Sequence, residues 1–159
     1  MAKLVIIVSG VPGTGKTVLA RKIAEQINAK YVDVNQLVKE KKIKAGFSKK
    51  YSAFVVDVDK LNKFLLKIIK ESKEDLVFDS HLTHYLPASK VDFCFITKCE
   101  LGTLKRRLEE RGYSIEKIRE NLDAEIFDVC LVEALENGHK PIIIDTTKGL
   151  KGFKFSEHK

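Results

Sequence analysis

The residues best suited to chemistry are those from Gly10 to Thr17, Gly-Val-Pro-Gly-Thr-Gly-Lys-Thr. They match the pattern G-x-x-x-x-G-K-[ST] at every position. Glycines let such a loop curl until its backbone N–H groups point at a phosphate, and the following helix presents its positive N-terminus to the same anion. We therefore expect Lys16 to reach the β- and γ-phosphates of ATP and the Thr17 hydroxyl to bind Mg²⁺. The other nucleotide-binding residues predicted in this loop are Gly10, Gly13, Thr14 and Gly15.

A phosphate loop needs a buried strand before it and a helix after it, and the sequence predicts both. Residues 4–8 form a continuous apolar run, which is typical of a central strand buried on both faces. Leu19, Ile23 and Ile27 then recur at every fourth position, which indicates an amphipathic helix over about residues 15–28. The alternative is a glycine-rich turn that joins a strand to a helix without binding a ligand.

An acid that holds the metal is expected at the end of another apolar strand, and Asp79 is placed to supply it. Asp79 follows the run Leu76-Val77-Phe78, and ligands of open α/β sheets bind at the carboxyl ends of the strands. We expect Asp79 to hold Mg²⁺ with Thr17, and His81 to lie on the same edge as a further catalytic residue. The alternative makes Asp79 and Ser80 ordinary turn residues.

Four of the five arginines lie between residues 106 and 119. Arg107 and Arg111 are one helical turn apart, so their like charges repel unless an anion lies between them. Guanidinium groups bind phosphates in a fixed fork and stabilise the charge of a phosphoryl group in transfer. We therefore expect both arginines to contact the nucleotide and Arg111 to be catalytic. The alternative is a solvated helix face on which Arg106 pairs with Glu110.

The remaining elements alternate between strands and helices, which predicts one α/β domain over residues 1–159, with a parallel sheet covered on both faces. Further strands are expected at 30–34, 76–78, 91–97 and 141–145. Further helices are expected at 36–42, 60–72, 100–111 and 114 to about 137. The expected N-caps are Asn35, Asp57 or Asp59, and Ser114. Residues 43–56 are expected to be irregular.

Composition limits the classes of protein to consider. The chain is 44% hydrophobic and 32% charged, as globular proteins are. No apolar run approaches the roughly 20 residues of a membrane span, so we expect a cytoplasmic protein without a membrane partner. A net charge of +7 indicates anionic partners. The three cysteines have neither the number nor the spacing of a disulfide framework or a zinc site. A GTPase is disfavoured because Asp79-Ser80-His81-Leu82 lacks the glycine of D-x-x-G.

With these residues in view, the chain resembles the adenylate kinase isoenzyme 6 family over residues 3–147. The resemblance rests on the phosphate loop, on Asp79-x-His81, and on the run from Arg107 to Tyr113 that leads into Asn121 and Glu125-Ile126-Phe127. It implies a three-layer P-loop NTPase fold of nucleoside monophosphate kinase type, with five parallel strands ordered 2-3-1-4-5. Residues 33–56 would bind the monophosphate, and residues 110–120 would form a short lid. The ATP contacts that the family implies are Gly13, Gly15, Lys16, Thr17, Val18, Arg111 and Lys148.

The resemblance implies two functions of different class. The first is an enzyme that makes two ADP from ATP and AMP, or acts on another nucleoside monophosphate, with accompanying ATPase activity. The second is an ATPase assembly factor in maturation of the small ribosomal subunit, with a ribosomal protein and rRNA as partners. The lysines Lys60, Lys63, Lys67 and Lys70 lie on one stripe of a predicted helix, which is either an RNA-binding surface or a solvated face.

Overall fold

Seven strands and six helices form the regular structure of residues 3–48 and 53–159, which the computed structural model describes. The strands are β1 (Val5–Gly10), β2 (Lys30–Asp33), β3 (Lys44–Ser48), β4 (Ala53–Val56), β5 (Leu76–Asp79), β6 (Phe93–Lys98) and β7 (Ile142–Asp145). The helices are α1 (Lys16–Ile27), α2 (Val34–Glu40), α3 (Val58–Glu71), α4 (Leu101–Glu110), α5 (Ile115–Ile126) and α6 (Val129–Glu136). Short 3₁₀ turns occur at Thr83–Tyr85, Ala88–Lys90 and Phe155–His158. None of the described helices is both long and apolar enough to cross a membrane.

Five of the strands form one parallel sheet in the order β2-β5-β1-β6-β7. Counted along this sheet alone, the order is 2-3-1-4-5, so the expected fold is confirmed. β1 lies at the centre, with Val8 opposite Asp79 of β5 and Gly10 opposite Thr97 of β6. Because parallel strands end at the same edge of a sheet, the loop after β1 and the acid at the end of β5 are brought together.

The two faces of β1 are buried beneath different layers. Val5 and Ile7 belong to a core cluster that includes residues of α2 to α6, whereas Ile6 and Val8 pack in a second cluster with α1. Phe155 of the last 3₁₀ turn, only 1% exposed, belongs to this second cluster. A strand covered on both faces needs apolar residues at every position, which is why residues 4–8 are continuously apolar.

The segment expected to be irregular contains an antiparallel hairpin, so that expectation was wrong. β3 pairs with β4, and the register shifts between Lys44 and Gly46. Such a shift is typical of a bulge, which a glycine inside a strand often marks. The run Phe54-Val55-Val56 has strand-forming residues, but the lysines and the glycine around it hide the alternation that would predict a strand.

The long helix expected from Ser114 to about Asn137 is broken into α5 and α6. Ser114 is the N-cap of α5 as expected, and its hydroxyl accepts a backbone N–H hydrogen bond. Asp128 has a left-handed φ of 52° between the two helices. Lys98 holds this break by donating to the Glu125 carbonyl, to the Glu125 carboxylate and to Asp128. The break therefore coincides with a contact from a strand that is distant in sequence. Helix periodicity cannot show such a contact.

The N-cap of α2 also differs from the expectation. Asp33, not Asn35, caps α2, and its carboxylate accepts a hydrogen bond from the Gln36 N–H at 3.1 Å. The helix therefore begins two residues earlier and leaves Asn35 in its first turn. Asp57 caps α3 as one of the two expected residues, and Asp59 lies in the first turn of that helix.

The three cysteines are free and buried. Burial raises the pKa of Cys94 to about 12 and that of Cys130 to about 11. Both thiols therefore stay protonated and pack as small apolar side chains.

Candidate active site

The phosphate loop turns between β1 and α1 in backbone conformations that need glycine. Gly10, Gly13 and Gly15 have φ values of 149°, 90° and 90°. A Cβ on Gly10 would lie 2.3 Å from the Thr97 hydroxyl oxygen, which leaves no room for a side chain. Thr14 turns its buried hydroxyl toward the same Thr97 oxygen at 2.7 Å. Thr97 of β6 therefore holds the loop on the side of the sheet. Loop residues Pro12, Gly13 and Gly15 line an open cleft.

Lys16 and Thr17 begin α1 and line this cleft. Burial lowers the pKa of Lys16 to about 8, although the nearby charge of Asp79 acts in the opposite direction. A bound phosphate would supply further negative charge and favour the ammonium form. Lys16 is therefore in surroundings that favour the binding of a polyanion.

Asp79 lies at the end of β5 with only 5% of its surface exposed, and two hydroxyls bind one of its carboxylate oxygens. The Thr17 and Tyr31 hydroxyls each donate to Oδ2 at 2.7 Å. Burial and the hydrogen bond to Asp79 raise the pKa of Tyr31 to about 12, so its phenol remains a donor. The Thr17 hydroxyl and the Asp79 carboxylate offer the hard oxygen atoms that Mg²⁺ prefers, so these residues fit the metal.

His81 lines the same cleft as Lys16 and Asp79. Burial lowers the pKa of His81 to about 4, and the positive charge of Lys16 acts in the same direction. The imidazole is therefore neutral at pH 7 and keeps one ring nitrogen as a hydrogen-bond acceptor. A neutral histidine in this position can orient a hydroxyl group or a water molecule.

The two predicted phosphate-binding arginines have different surroundings. The Arg107 guanidinium donates to the Gly13 carbonyl at 3.3 Å and to the hydroxyl and carbonyl oxygens of Thr146 at 3.2 and 2.7 Å. Arg111 is exposed at the end of α4 and lines the cleft. Arg107 therefore tethers the phosphate loop, and its contact with the nucleotide stays a prediction. Arg111 lines the space that a ligand would enter. Arg106 lies on the solvent side in the expected i, i+4 pair.

A second pocket, of 350 Å³, lies beside the phosphate loop on the side of α4. Val18, which is 61% exposed, and Leu150 give it apolar walls, and Gly13, Gly15 and Arg111 line both this pocket and the cleft. Apolar walls next to a phosphate loop suit the base of a nucleotide. We call this space the donor pocket. Lys148 lines a different surface cavity, with Asp145 and Thr147, so its contact with ATP stays a prediction.

The cleft above Lys16 has a volume of 580 Å³. Asp33, Asn35 and Val56 form one wall, and Lys117 and Asn121 of α5 lie on another. Polar and charged groups thus surround a space large enough for a second small ligand. Parts of the predicted monophosphate-binding segment 33–56 line the cleft, and residues 49–52 of that segment lie outside the described residues.

Tyr31, Asn35 and Thr146 are site residues that sequence reasoning missed. The contact of Tyr31 depends on the register that pairs β2 with β5, and a single sequence does not show that register. Thr146 reaches the loop only because β7 lies beside β6. Asn35 was assigned to a helix cap, which hid its place in the cleft. Asn121 lies in the run that carries the family resemblance, and that run was the available signal for it.

The fold and the site together define a P-loop nucleotide-binding protein with the topology of a small-molecule kinase. Residues 6–128 match the family described as AAA domain. A sugar kinase from Janibacter has a TM-score of 0.59 at 18% identity, with 90% of this chain and 85% of that chain covered. Shikimate kinase from Bacteroides thetaiotaomicron has a TM-score of 0.52 at 15% identity, over 89% of this chain and 86% of that one. At these identities the likeness concerns the fold alone.

Relatives of higher identity define the family. A protein of Pyrococcus furiosus, provisionally named an adenylate kinase, is 40% identical over 144 residues, which cover 91% of this chain and 76% of that protein. The adenylate kinase isoenzyme 6 homolog of Schizosaccharomyces pombe is 36% identical over 140 residues, or 88% of this chain and 79% of that protein. The corresponding homolog of Caenorhabditis elegans is 33% identical over 138 residues, with coverages of 87% and 76%. The chain belongs to the adenylate kinase isoenzyme 6 family.

Proposed function

We propose that the protein is a cytoplasmic nucleoside monophosphate kinase that transfers the γ-phosphoryl group of ATP to AMP and forms two ADP. Membership of the family supports a nucleotide kinase in general, and the choice of AMP is our proposal. The observation that carries it is the junction of two spaces at one loop. The donor pocket and the cleft share Gly13, Gly15, Val18 and Arg111 as walls.

This junction suits transfer between two bound nucleotides. A nucleotide whose base lies in the donor pocket would place its phosphates along the phosphate loop and extend them toward Lys16. An acceptor in the cleft would then meet the terminal phosphate beside His81, on the side of Asp33 and Asn35. Lys16 and Arg111 would stabilise the charge of the phosphoryl group during transfer. Bound Mg²⁺ would add charge neutralisation at the phosphates, with Thr17 and Asp79 as its protein partners.

The experiment that tests this proposal measures phosphoryl transfer from ATP to AMP, CMP, UMP and GMP, and ATP loss without an acceptor. We expect AMP to be the best acceptor. Asn35→Ala should raise the KM for the acceptor and leave the KM for ATP nearly unchanged, because Asn35 lines only the cleft. Transfer to no monophosphate above the rate of hydrolysis would remove the kinase proposal.

The alternative is an ATPase that acts as an assembly factor for the small ribosomal subunit, and the neutral His81 supports the hydrolytic part of it. A neutral imidazole next to Lys16 can hold a water molecule for attack on the terminal phosphate. His81→Ala should then lower ATP hydrolysis more than transfer to AMP. Equal losses in the two activities would leave His81 with no special part in hydrolysis.

A lysine-rich surface on α3 supports the RNA-binding part of the alternative. Lys60, Lys63 and Lys67 surround an apolar surface pocket of 420 Å³ together with Phe64. Lys70 is exposed one turn further along α3. Phe64 is partly exposed, and lysines beside such an aromatic ring suit the phosphates and bases of a single strand. The other interpretation is a solvated face without a partner.

The test compares single-stranded RNA binding across a salt series. Changing Lys60, Lys63, Lys67 and Lys70 to glutamine should reduce the slope of log affinity against log salt by about 0.7 for each lost phosphate contact. The matched control changes Lys90, Lys105, Lys140 and Lys154, which are also exposed. Equal slopes in the two variants would indicate a solvated face, as would unchanged binding. If a ribosomal protein takes the place of the RNA in the same salt series and binds, a protein partner is favoured over RNA.

A further inference from the structure

Tyr31 makes an unusual contact for a residue that neither the sequence pattern nor the proposed reaction singles out. It lies on β2, where Asp33 is the register partner of Asp79 and Tyr31 is the partner of Val77. Its hydroxyl reaches past that partner and donates to Asp79 Oδ2 at 2.7 Å. The Arg21 guanidinium lies 4.9 Å from the centroid of the Tyr31 ring and covers one face of it.

The two donors on Asp79 bind the same oxygen. Thr17 and Tyr31 both donate to Oδ2, and Oδ1 accepts no hydrogen bond from the described residues. A carboxylate held in this way cannot rotate without losing both bonds. Oδ1 is therefore kept for a ligand. The Thr17 hydroxyl donates its proton in a hydrogen bond to Asp79 Oδ2, and its oxygen still has lone pairs for a cation.

The fixed carboxylate also affects Lys16, which lines the same cleft. A freely rotating Asp79 could pair with the Lys16 ammonium and remove both groups from the ligand. The described residues contain no ion pair between the two. Two hydroxyl donors on Oδ2 favour this separated arrangement.

We propose that Tyr31 is a positioning residue that acts through Asp79 and tunes the affinity of the nucleotide site for Mg²⁺. The inference rests on the proposed function only in requiring a nucleotide–Mg²⁺ site at the phosphate loop. It does not depend on which acceptor the enzyme uses. Partners that orient a metal-binding carboxylate typically change metal affinity by about 10- to 100-fold when they are removed.

The test is Tyr31→Phe, which removes the hydroxyl and keeps the ring. A fluorescent, non-hydrolysable ATP analogue is titrated with Mg²⁺, so the measurement is binding and not turnover. We expect the Mg²⁺ concentration for half-maximal binding to rise about tenfold. Affinity for the analogue in EDTA should change less than about twofold, because Tyr31 does not line the cleft. The matched control is Tyr85→Phe, which removes a hydroxyl that is bound to Glu133 instead.

A double-mutant cycle with Asp79→Asn separates positioning from a general loss of structure. If Tyr31 acts through Asp79, Tyr31→Phe should not weaken Mg²⁺ binding further in the Asp79→Asn protein. Additive losses would overturn the proposal, as would an unchanged Mg²⁺ requirement in Tyr31→Phe or an equal rise in Tyr85→Phe. The parent protein in the acceptor assay tests the kinase proposal separately, so the two ideas can fail independently.

Discussion

At the residue scale, the lowered pKa of Lys16 predicts that ligand binding is coupled to protonation of this side chain. Its pKa is lowered from 10.5 to about 8 because the ammonium is buried without a full counter-charge. Between these two pKa values the unfolded chain binds more protons than the folded protein does. The free energy of unfolding of the ligand-free protein should therefore rise with pH across this window, as far as Lys16 contributes. A bound polyphosphate shifts the balance back, because its charge stabilises the ammonium.

We therefore expect ATP binding at about pH 9 to take up nearly one proton, and ATP affinity to fall as the pH rises above about 8. Calorimetric titrations in two buffers with different ionisation enthalpies measure this uptake. Lys16→Ala is the control and should show none. The same variant should lose transfer activity by at least about 100-fold. Equal proton uptake in the two proteins would place the titrating group elsewhere.

The part of the site that the sequence predicts is the part set by local spacing. Lys16 and Thr17 follow from the loop pattern, and Asp79 follows from its place after a short apolar run. Tyr31 and Thr146 could not be predicted in this way, because each reaches the site from a neighbouring strand. Their contacts exist only once the order and register of the sheet are known.

At the element scale, the break between α5 and α6 depends on one lysine from the sheet. Glu125 is 5% exposed, and its carboxylate accepts hydrogen bonds from Lys98 at 2.7 Å and from the Cys99 N–H at 2.9 Å. Lys98 also bonds Asp128, the residue with the left-handed backbone. The helix periodicity of the sequence continues through the break. The break is therefore associated with a long-range ion pair, which the local sequence does not show.

Lys98→Met should lower the free energy of unfolding by about 2 kcal/mol, because it leaves the buried Glu125 carboxylate without its cation. This is below the cost for a fully buried pair, since 22% of the Lys98 side chain is exposed. Urea unfolding measures the change. The control is Lys105→Met at an exposed position of α4, which should change the free energy of unfolding by less than about 0.5 kcal/mol. Similar values for both variants would contradict a structural role for the pair.

The turn between α4 and α5 places Arg111 where it lines both the donor pocket and the cleft. Gly112, with a φ of 76°, follows directly and lets the chain reverse into α5. Arg111→Lys keeps the charge and loses the guanidinium fork, so we expect kcat for transfer to fall by about tenfold or more. Arg106→Lys on the solvent side of α4 should leave kcat unchanged. If Arg111→Lys also has normal kinetics, its side chain lies outside the reacting complex and residues 110–120 are not a catalytic lid.

At the scale of the whole molecule, strand order is the best-predicted feature, and the hairpin of β3 and β4 is the worst. The continuous apolar run of β1 indicates a central strand, and the family resemblance supplies the order around it. The hairpin lies in a lysine-rich stretch with a glycine and a register shift, so it has no clean alternation. The stretch that is hardest to predict therefore belongs to residues 33–56, the segment that we propose binds the monophosphate.

The molecule as a whole places the donor pocket and the cleft next to each other at the phosphate loop, with Gly13, Gly15, Val18 and Arg111 as shared walls. This geometry makes a prediction about linked ligands. Two adenosines joined by a chain of five phosphates could occupy the donor pocket and the cleft together. Linking turns the second binding event into an intramolecular one, so we expect affinity at least about 100-fold tighter than that for ADP.

Competition against a fluorescent ATP analogue measures this gain in affinity. Asn35→Ala should reduce the gain while leaving ADP binding in the donor pocket nearly unchanged, because Asn35 lines the cleft alone. An inosine at one end of the ligand is a second control, since it keeps all the phosphates and changes only a base. If the linked ligand binds no better than ADP, the two spaces are not used at the same time, and hydrolysis at a single nucleotide site becomes the better account of the molecule.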